Sequence, residues 1–288
     1  MIPAQFDYQA PRTLDEAIGL LAQNPDEAKI LAGGHSLIPA MKLRLAQPAL
    51  LVDLGRIKDL AYIREEGGRI SIGAMTTHYQ IESSDLLKQN CPLLPECASH
   101  IGDVQVRNKG TIGGSLAHSD PAGDWPAAIL ALGAEIVAQG KTGDRVIHAE
   151  EFFVDLLTTA LQPGEILREI RIGKPQGRYG HAYQKVRHPA SGFAVVGVAA
   201  SLSLTANGSC ESCGIGITGV ASKAYRARGV ESALAGKQLD EQTVAAAASH
   251  ASDGVDANSD LYASEEYRRH LATIYTRRAI NTALSKAN

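Results

Sequence analysis

The sequence predicts an α+β protein built from several modules, and three observations lead to this fold class. Near the N-terminus, a capped amphipathic helix precedes two short apolar runs that are typical of buried strands. The middle of the chain mixes helices with strand patterns. The last third contains three strand-like segments followed by three helical ones, as expected for an α+β arrangement.

The first helix is predicted in "TLDEAIGLLAQNP", where Thr13 is the N-cap, Glu16 follows three residues later and a proline ends the helix. "AKILAGG" and "ALLVDL" are predicted as short buried strands, the second ending at Asp53. The pattern resets around residues 55–60. We therefore expect a first subdomain over residues 1–55.

The middle of the chain is predicted to hold a sheet and several helices. In "GRISIG", Arg69 and Ser71 alternate with Ile70 and Ile72, which predicts a half-buried strand, and one of the two threonines that follow should cap a helix. Helices are predicted in "PLLPECASHI" and "DWPAAILALG". "AEIVAQG", "DRVIHAEE" and "GEILREIRI" are predicted strands of an antiparallel or mixed sheet.

A connection is predicted in "QGRYGHAYQKVRHPASG", which begins at Gln176 and is rich in glycine and proline. We place a boundary near residue 177, which gives a second subdomain over residues 56–177 and a C-terminal domain over 178–288. The predicted C-terminal elements are strands at 182–188, 194–204 and 210–218 and helices at 223–235, 241–252 and 262–285.

Composition excludes several classes of protein. The 288 residues are 44% hydrophobic and 20% charged with a net charge of −3, which indicates a globular chain and argues against a nucleic-acid partner. The N-terminus lacks the features of a secretory signal, and the apolar run Phe193–Leu204 is shorter than the about 20 residues that span a bilayer. Four cysteines form no disulfide framework. We expect a cytoplasmic protein without a membrane span.

The segment "ILAGGHSL", residues 30–37, has the composition of a phosphate-binding loop but matches neither of the two common patterns. It lacks the lysine of G-x-x-x-x-G-K-[ST] and the spacing of G-x-G-x-x-G. Adjacent glycines tolerate positive φ, so successive backbone N–H groups can converge on an anion, and Ser36 adds a hydroxyl. Taken alone, the segment is equally consistent with a tight turn.

A second segment, "GTIGGSLAHSDPAGDWPA", repeats this chemistry. Gly113, Gly114 and Ser115 parallel the first segment, and Asp120 and Asp124 follow. Two separate segments of this kind suit a long diphosphate held from both sides. A dinucleotide is therefore favoured over a mononucleotide.

Several stretches together resemble a known family: "LAGGHSLIPAMKLRLAQP", "VDL", "IGAMTTH", "VRNKGTIGGSLAHSDPAGDWPA" and "PGEILREIRI". They are similar to the FAD-binding medium subunit of the molybdenum hydroxylases, the group of carbon monoxide dehydrogenase, xanthine dehydrogenase and bacterial N-heteroaromatic oxidoreductases. The resemblance covers nearly the whole chain. It implies an FAD-binding type 2 (PCMH-like) fold of two N-terminal subdomains plus a C-terminal α/β domain like that of the carbon monoxide dehydrogenase flavoprotein.

The resemblance also implies which residues bind the cofactor. In the family the two glycine segments hold the FAD pyrophosphate, an aspartate bonds the ribityl or sugar hydroxyls, apolar residues line the cofactor, a polar or basic residue at Gln184 or Lys185 contacts it, and an aromatic residue lies near the flavin. The corresponding positions are Ile30, Leu31, Ala32, Gly33, Gly34, His35, Ser36, Leu37, Ile101, Thr111, Ile112, Gly113, Gly114, Ser115, Asp124, Leu167, Lys185 and Phe193. Phe193 is equally consistent with the first core residue of its strand.

The implied function is electron transfer, and no catalytic acid or base is expected in this chain. Substrate, an N-heteroaromatic compound or carbon monoxide, would be oxidised on a large molybdopterin subunit. Electrons would pass through [2Fe-2S] clusters on a small subunit to FAD and then to an external acceptor, within a dimer of heterotrimers (a heterohexamer). Two alternatives remain open: a stand-alone FAD oxidoreductase of the UDP-N-acetylenolpyruvylglucosamine reductase type, and a nucleotide-binding subunit without redox turnover.

Other reactive residues carry weaker signals. The C-x-x-C of Cys210 and Cys213 is a weak metal motif, because Cys91 and Cys97 are spaced C-x5-C, so we expect no metal and place free thiols in a turn. His35 is expected to pack beside the pyrophosphate. No nucleophile motif accompanies His118, which is expected to be a loop residue near the cofactor.

Overall fold

A computed structural model describes residues 1–287, and its elements are numbered in chain order. The strands are β1 (Asp7–Gln9), β2 (Ala28–Leu31), β3 (Leu50–Asp53), β4 (Ile63–Glu66), β5 (Arg69–Gly73), β6 (Glu135–Gly140), β7 (Gly143–His148), β8 (Phe153–Asp155), β9 (Thr158–Thr159), β10 (Ile166–Gly173), β11 (Arg178–Arg187), β12 (Ala194–Leu204), β13 (Cys210–Thr218) and β14 (Tyr225–Arg226). The helices are α1 (Leu14–Gln23), α2 (Leu37–Lys42), α3 (His78–Ser83), α4 (Asp85–Asn90), α5 (Leu93–Ser99), α6 (Val104–Lys109), α7 (Ile112–His118), α8 (Trp125–Ala131), α9 (Ala149–Phe152), α10 (Arg228–Leu234), α11 (Glu241–Ala248) and α12 (Glu265–Lys286).

The N-terminal sheet is parallel, with strand order β1–β3–β2. The predicted first helix, α1, forms because Thr13 Oγ1 accepts a hydrogen bond from the N–H of Glu16 at 3.2 Å. Ile18 of α1 lies in one core cluster with Val52 of β3. The chain leaves the carboxyl end of β2 at Leu31 and runs directly into the first glycine segment, the kind of position at which parallel sheets bind ligands.

The middle sheet is antiparallel, with strand order β4–β5–β10–β6–β7. Ile70 and Ile72 are fully buried in the largest core cluster, which confirms the period-two prediction for β5. Thr77 rather than Thr76 caps α3: its Oγ1 accepts from the N–H of Gln80, and Gln80 Oε1 accepts from the N–H of Thr77. The strands β8 and β9 form a separate short pair.

The C-terminal sheet is antiparallel, with strand order β11–β12–β13–β14. Helix α12 packs against β11 and β12, and α8 from the middle of the chain packs against β12 and β13. The strands β12 and β13 cover the predicted residues. However, β11 begins at Arg178 rather than 182, because Gly180 lies inside the strand where α12 approaches: a Cβ there would be 2.0 Å from the Ala283 carbonyl oxygen.

His118, which follows the second glycine segment, was expected in a loop, and that expectation is wrong because Ile112–His118 form α7. Thr111 Oγ1 accepts from the N–H of Gly114 at 3.1 Å and caps this helix. Glycine has low helix propensity. Here the complete burial of Ile112 and Leu116 in the main core offsets that cost.

Within residues 1–287, no helix is long and apolar enough to cross a membrane.

Candidate functional site

The two glycine segments lie side by side in the structure. We define the first glycine segment as residues 32–37 and the second as residues 109–115. A Cβ added at Gly33 would lie 2.2 Å from the carbonyl oxygen of Lys109 and 2.7 Å from the Cα of Gly110, so the two backbones touch. A Cβ added at Gly114 would lie 3.3 Å from the Cβ of Ala32. The fold thus joins two motifs that are far apart in the sequence.

The first glycine segment presents a run of free backbone donors. Among the described residues, no protein atom accepts a hydrogen bond from the backbone N–H groups of residues 32–37. Gly34 has a φ of 75°, which turns the chain between β2 and α2. A run of backbone N–H groups without protein acceptors is suited to binding an anion such as a phosphate.

The second glycine segment differs, because the backbone N–H groups of residues 112–115 donate to protein acceptors. The N–H groups of Ile112 and Gly113 donate to the carbonyl oxygens of Thr76 and Ala74, at 3.0 and 2.9 Å. The N–H of Gly114 donates to Thr111 Oγ1, and that of Ser115 donates to the Thr111 carbonyl oxygen. The two similar sequences therefore have different roles: the second segment packs against the first, and its Ser115 is partly exposed.

The flanking predicted residues lie along the first glycine segment. Ile30 and Leu31 are partly buried on β2, Ser36 is exposed before α2, and Leu37 is the first residue of that helix. His35 is exposed, and its Nδ1 donates to the carbonyl oxygen of Gly33 at 2.9 Å. His35 thus stabilises the turn of its own segment.

Asp124 lies at the start of α8, with its carboxylate directed into the protein. It is 5% exposed; the hydroxyl of Tyr183 donates to its Oδ1 at 2.5 Å, and Lys185 Nζ lies 2.8 Å from Oδ1 and 2.9 Å from Oδ2. Burial raises the pKa of Asp124, and the charge of Lys185 opposes this shift. Both carboxylate oxygens are engaged within the chain, so a bond to a cofactor hydroxyl would have to share them.

The choice between Gln184 and Lys185 is decided by the alternation of β11. Lys185 is on the same face as Tyr183 and meets Asp124, whereas Gln184 is on the opposite face, where Ala182 and Val186 pack in the core cluster that includes α12. Lys185 is the residue that faces α8.

The predicted apolar positions have different surroundings. Ile101 follows His100, whose carbonyl oxygen accepts from Lys185 Nζ at 3.2 Å. Leu167 is 4% exposed on β10, next to Arg168, whose carbonyl oxygen accepts from the N–H of Ala74 beneath the second glycine segment. Phe193 is 45% exposed immediately before β12. Phe193 is thus available to a ligand, whereas Leu167 is part of the core.

The sequence interpretation missed two nearly buried residues, Tyr183 and His78. Tyr183 is fully enclosed and bonds Asp124; its position two residues from Lys185 on one strand was the available signal. His78 is 4% exposed, and its Nδ1 lies 3.0 Å from Trp125 Nε1. It was visible in "TTH", but only as a residue following a helix cap.

The remaining reactive residues lie elsewhere. Cys210 and Cys213 are on strand β13 rather than in the predicted turn, and the Cys213 thiol is 3.7 Å from the carbonyl oxygen of Glu231. In residues 1–287, no group of three or more His, Cys, Asp or Glu side chains is arranged to hold a metal ion. His118 is the exposed last residue of α7 and not a loop residue.

Comparison with known proteins identifies the family. Residues 4–175 match the FAD binding domain in molybdopterin dehydrogenase, and residues 181–283 match the CO dehydrogenase flavoprotein C-terminal domain. The chain belongs to the FAD-binding medium subunits of the molybdenum hydroxylases. It is an oxidoreductase subunit and a flavoprotein, as the resemblance implied.

Individual relatives agree with this family over the full length. The chain is 40% identical to the carbon monoxide dehydrogenase medium chain of Hydrogenophaga pseudoflava, over 99% of both chains. It is 36% identical to the 6-hydroxypseudooxynicotine dehydrogenase complex subunit alpha of Paenarthrobacter nicotinovorans, over 100% of this chain and 97% of that one. A solved carbon monoxide dehydrogenase from Hydrogenophaga pseudoflava superimposes with a TM-score of 0.97 at 41% identity, covering 100% of both chains.

The geometry of the glycine segments fits FAD. A dinucleotide needs donors for its diphosphate, and the free N–H groups of residues 32–37 provide them at a point where Gly34 leaves the backbone without a Cβ. Phe193 offers an exposed ring that suits the flat flavin. The residues present are therefore consistent with the cofactor of the family.

Proposed function

We propose that this chain is the electron-transfer subunit of a heteromeric molybdenum and iron–sulfur hydroxylase. It would receive electrons from [2Fe-2S] clusters on a small subunit and pass them through FAD to an external acceptor. Substrate would be oxidised on a separate large molybdopterin subunit. The observation that carries this proposal is the full-length family match combined with a run of free backbone N–H groups between β2 and α2.

In this proposal the chain binds and orients the cofactor, while FAD supplies the redox chemistry. The first glycine segment binds the diphosphate through its backbone. Ser115 adds a hydroxyl, and the rest of the second segment holds the first in place. Ile101 and Phe193 cover apolar parts of the cofactor. Leu167 is 4% exposed, so in this proposal only a small part of its side chain contacts the cofactor.

Asp124 and Lys185 have a shared role in this proposal. Their ion pair joins α8 to β11 and thereby joins the proposed subdomain 56–177 to the proposed C-terminal domain 178–288. The residues that would surround the flavin come from both of these regions and from residues 1–55. Holding the regions together would therefore preserve the cofactor geometry.

The assembly is a dimer of heterotrimers in this proposal, located in the cytoplasm. Its support is the family itself: medium chains belong to complexes of several subunits. The substrate class is an N-heteroaromatic compound or carbon monoxide. Relatives named for either class share about the same identity with this chain.

The test begins with the full chain purified alone. We expect it to bind FAD and show flavin absorbance bands; a chain that binds no added FAD would contradict the proposal. The complex purified from its native source should then contain molybdenum and iron–sulfur subunits, and its flavin should bleach anaerobically when substrate is added. A flavoprotein isolated without partners would instead support a stand-alone oxidoreductase.

A further inference from the structure

The imidazole of His78 lies at the junction of the two glycine segments. A Cβ added at Gly110 would be only 2.6 Å from His78 Nε2, and Gly110 is the residue on which Gly33 packs. The backbone N–H of His78 donates to the Gly110 carbonyl oxygen at 3.0 Å, which holds the start of α3 in register with this junction. His78 Nε2 therefore points towards the place where the segments touch.

The structure also determines which nitrogen of His78 carries the proton. Trp125 Nε1 lies 3.0 Å from His78 Nδ1, and an indole N–H can only donate. His78 Nδ1 must therefore be an unprotonated acceptor. Burial lowers the pKa of His78 to about 4, so the ring is neutral at physiological pH and its single proton is on Nε2.

The Nε2–H donor has no acceptor in the protein. Among the described residues, the only hydrogen bond of the His78 side chain is the one from Trp125. Nor is Nε2 sealed off: the fully enclosed side-chain nitrogen and oxygen atoms without a partner in residues 1–287 are Arg268 Nε and Thr276 Oγ1. Because the protein supplies no acceptor and Nε2 can be reached from outside, its acceptor is water or a bound molecule.

The surroundings of His78 favour an anionic acceptor. After burial, the neighbouring His35 and then the guanidinium of Arg107 contribute to lowering the pKa of His78, and Arg107 is itself paired with Glu82, Nε to Oε2 at 2.7 Å. The first glycine segment, whose N–H groups have no protein acceptor, packs on Gly110 through Gly33. A donor on a neutral ring, next to a segment that carries free backbone donors, is suited to a phosphate oxygen.

We propose that His78 donates a hydrogen bond from Nε2 to the diphosphate of FAD. This inference rests on the proposed function, in which the first glycine segment binds that diphosphate. Trp125 is then a positioning residue, because its indole fixes the tautomer and the orientation of the ring. The competing explanation is that His78 is only a packing residue that accepts a bond from Trp125.

Two substitutions at this position separate the explanations. In His78→Asn, the side-chain oxygen can still accept from Trp125, but the Nε2–H donor is lost. In His78→Gln, the side-chain N–H group reaches about as far as Nε2. For the full chain, we expect His78→Asn to weaken binding of FAD and of ADP by roughly 10- to 100-fold, the range for a hydrogen bond to a charged group. His78→Gln should recover part of this loss, and riboflavin, which has no diphosphate, should bind both variants as it binds the wild type.

The readout is equilibrium titration followed by flavin fluorescence, or by calorimetry for ADP, with circular dichroism to verify folding. An affinity of folded His78→Asn for FAD within twofold of the wild type would refute the inference and leave the proposed function intact. A wild-type chain that binds neither FAD nor ADP would refute both.

A second measurement needs no variant. In the full chain labelled with ¹⁵N-histidine, we expect His78 to show a protonated Nε2 and an unprotonated Nδ1, and the Nε2–H resonance to shift when FAD or ADP is added. A proton on Nδ1, or no shift at saturating ligand, would contradict the inference even if the substituted chains failed to fold.

Discussion

Gly33 packs directly on Gly110, and the space between them cannot hold a methyl group. A Cβ at Gly33 would come 2.7 Å from the Cα of Gly110, closer than a carbon atom can approach. We predict that Gly33→Ala separates the two glycine segments, weakens FAD binding at least tenfold and lowers the melting temperature. Fluorescence titration and thermal unfolding of the full chain test this.

Gly19→Ala is the matched control for this substitution. A Cβ at Gly19 would have no heavy atom within 4 Å, and the residue lies inside α1. This variant should be more stable than the wild type by about 0.5–1 kcal/mol, with unchanged FAD affinity. Equal affinities of Gly33→Ala and Gly19→Ala would show that the contact between the segments does not matter for the cofactor.

Removing only one partner of the Asp124–Lys185 ion pair is predicted to lower the free energy of unfolding. Lys185→Met would leave the nearly buried carboxylate of Asp124 without its cation, which costs about 3–5 kcal/mol. The double variant Asp124→Asn with Lys185→Met should recover much of this loss. Urea unfolding measures the free energies.

The exposed pair Lys88–Asp85 is the control, since both side chains are at least half exposed and Lys88→Met should cost less than about 1 kcal/mol. A small loss in Lys185→Met, or no recovery in the double variant, would show that the buried pair does not hold α8 to β11.

His78 should make the fold sensitive to acid. The pKa of His78 falls from 6.5 to about 4 on folding. Between pH 6.5 and 4, His78 is therefore protonated in the unfolded chain and neutral in the folded chain. Stability should therefore decrease as pH falls from 6.5 to 4, by about 3 kcal/mol for this residue. Urea unfolding across this range compares wild type with His78→Asn, so that the contributions of other groups cancel. Parallel pH profiles would contradict the prediction.

Phe193 is predicted to affect the flavin without supporting the fold. Its ring is 45% exposed, so Phe193→Ala should change the free energy of unfolding by less than about 1 kcal/mol. If the ring covers the flavin, the absorbance bands and the reduction potential of bound FAD should shift. Leu261→Ala, at a fully exposed site, should change neither. Identical flavin spectra in all three proteins would show that Phe193 does not contact the flavin.

Predictions from local sequence succeeded where the determining contacts are local. Thr13 and Thr77 cap their helices within three residues, and the alternation at Ile70 and Ile72 is set by the pleat of β5. They failed where distant parts of the chain decide. Gly180 indicates a turn by its composition, but in the structure it makes room for α12 against β11. The three residues of β1 carry no pattern that predicts a strand.

By itself, the sequence identified the two glycine segments, and the resemblance of several stretches to a known family implied the FAD-binding medium subunits and their cofactor. Only the tertiary structure decided that the segments are not equivalent. In the second, the N–H groups of residues 112–115 donate to Thr76, Ala74 and Thr111, while those of the first have no protein acceptor. The structure also turned Asp124 inward to Lys185 and locked the His78 tautomer through Trp125. Each outcome depends on which partner a polar group meets when water is excluded, and those partners come from distant parts of the chain.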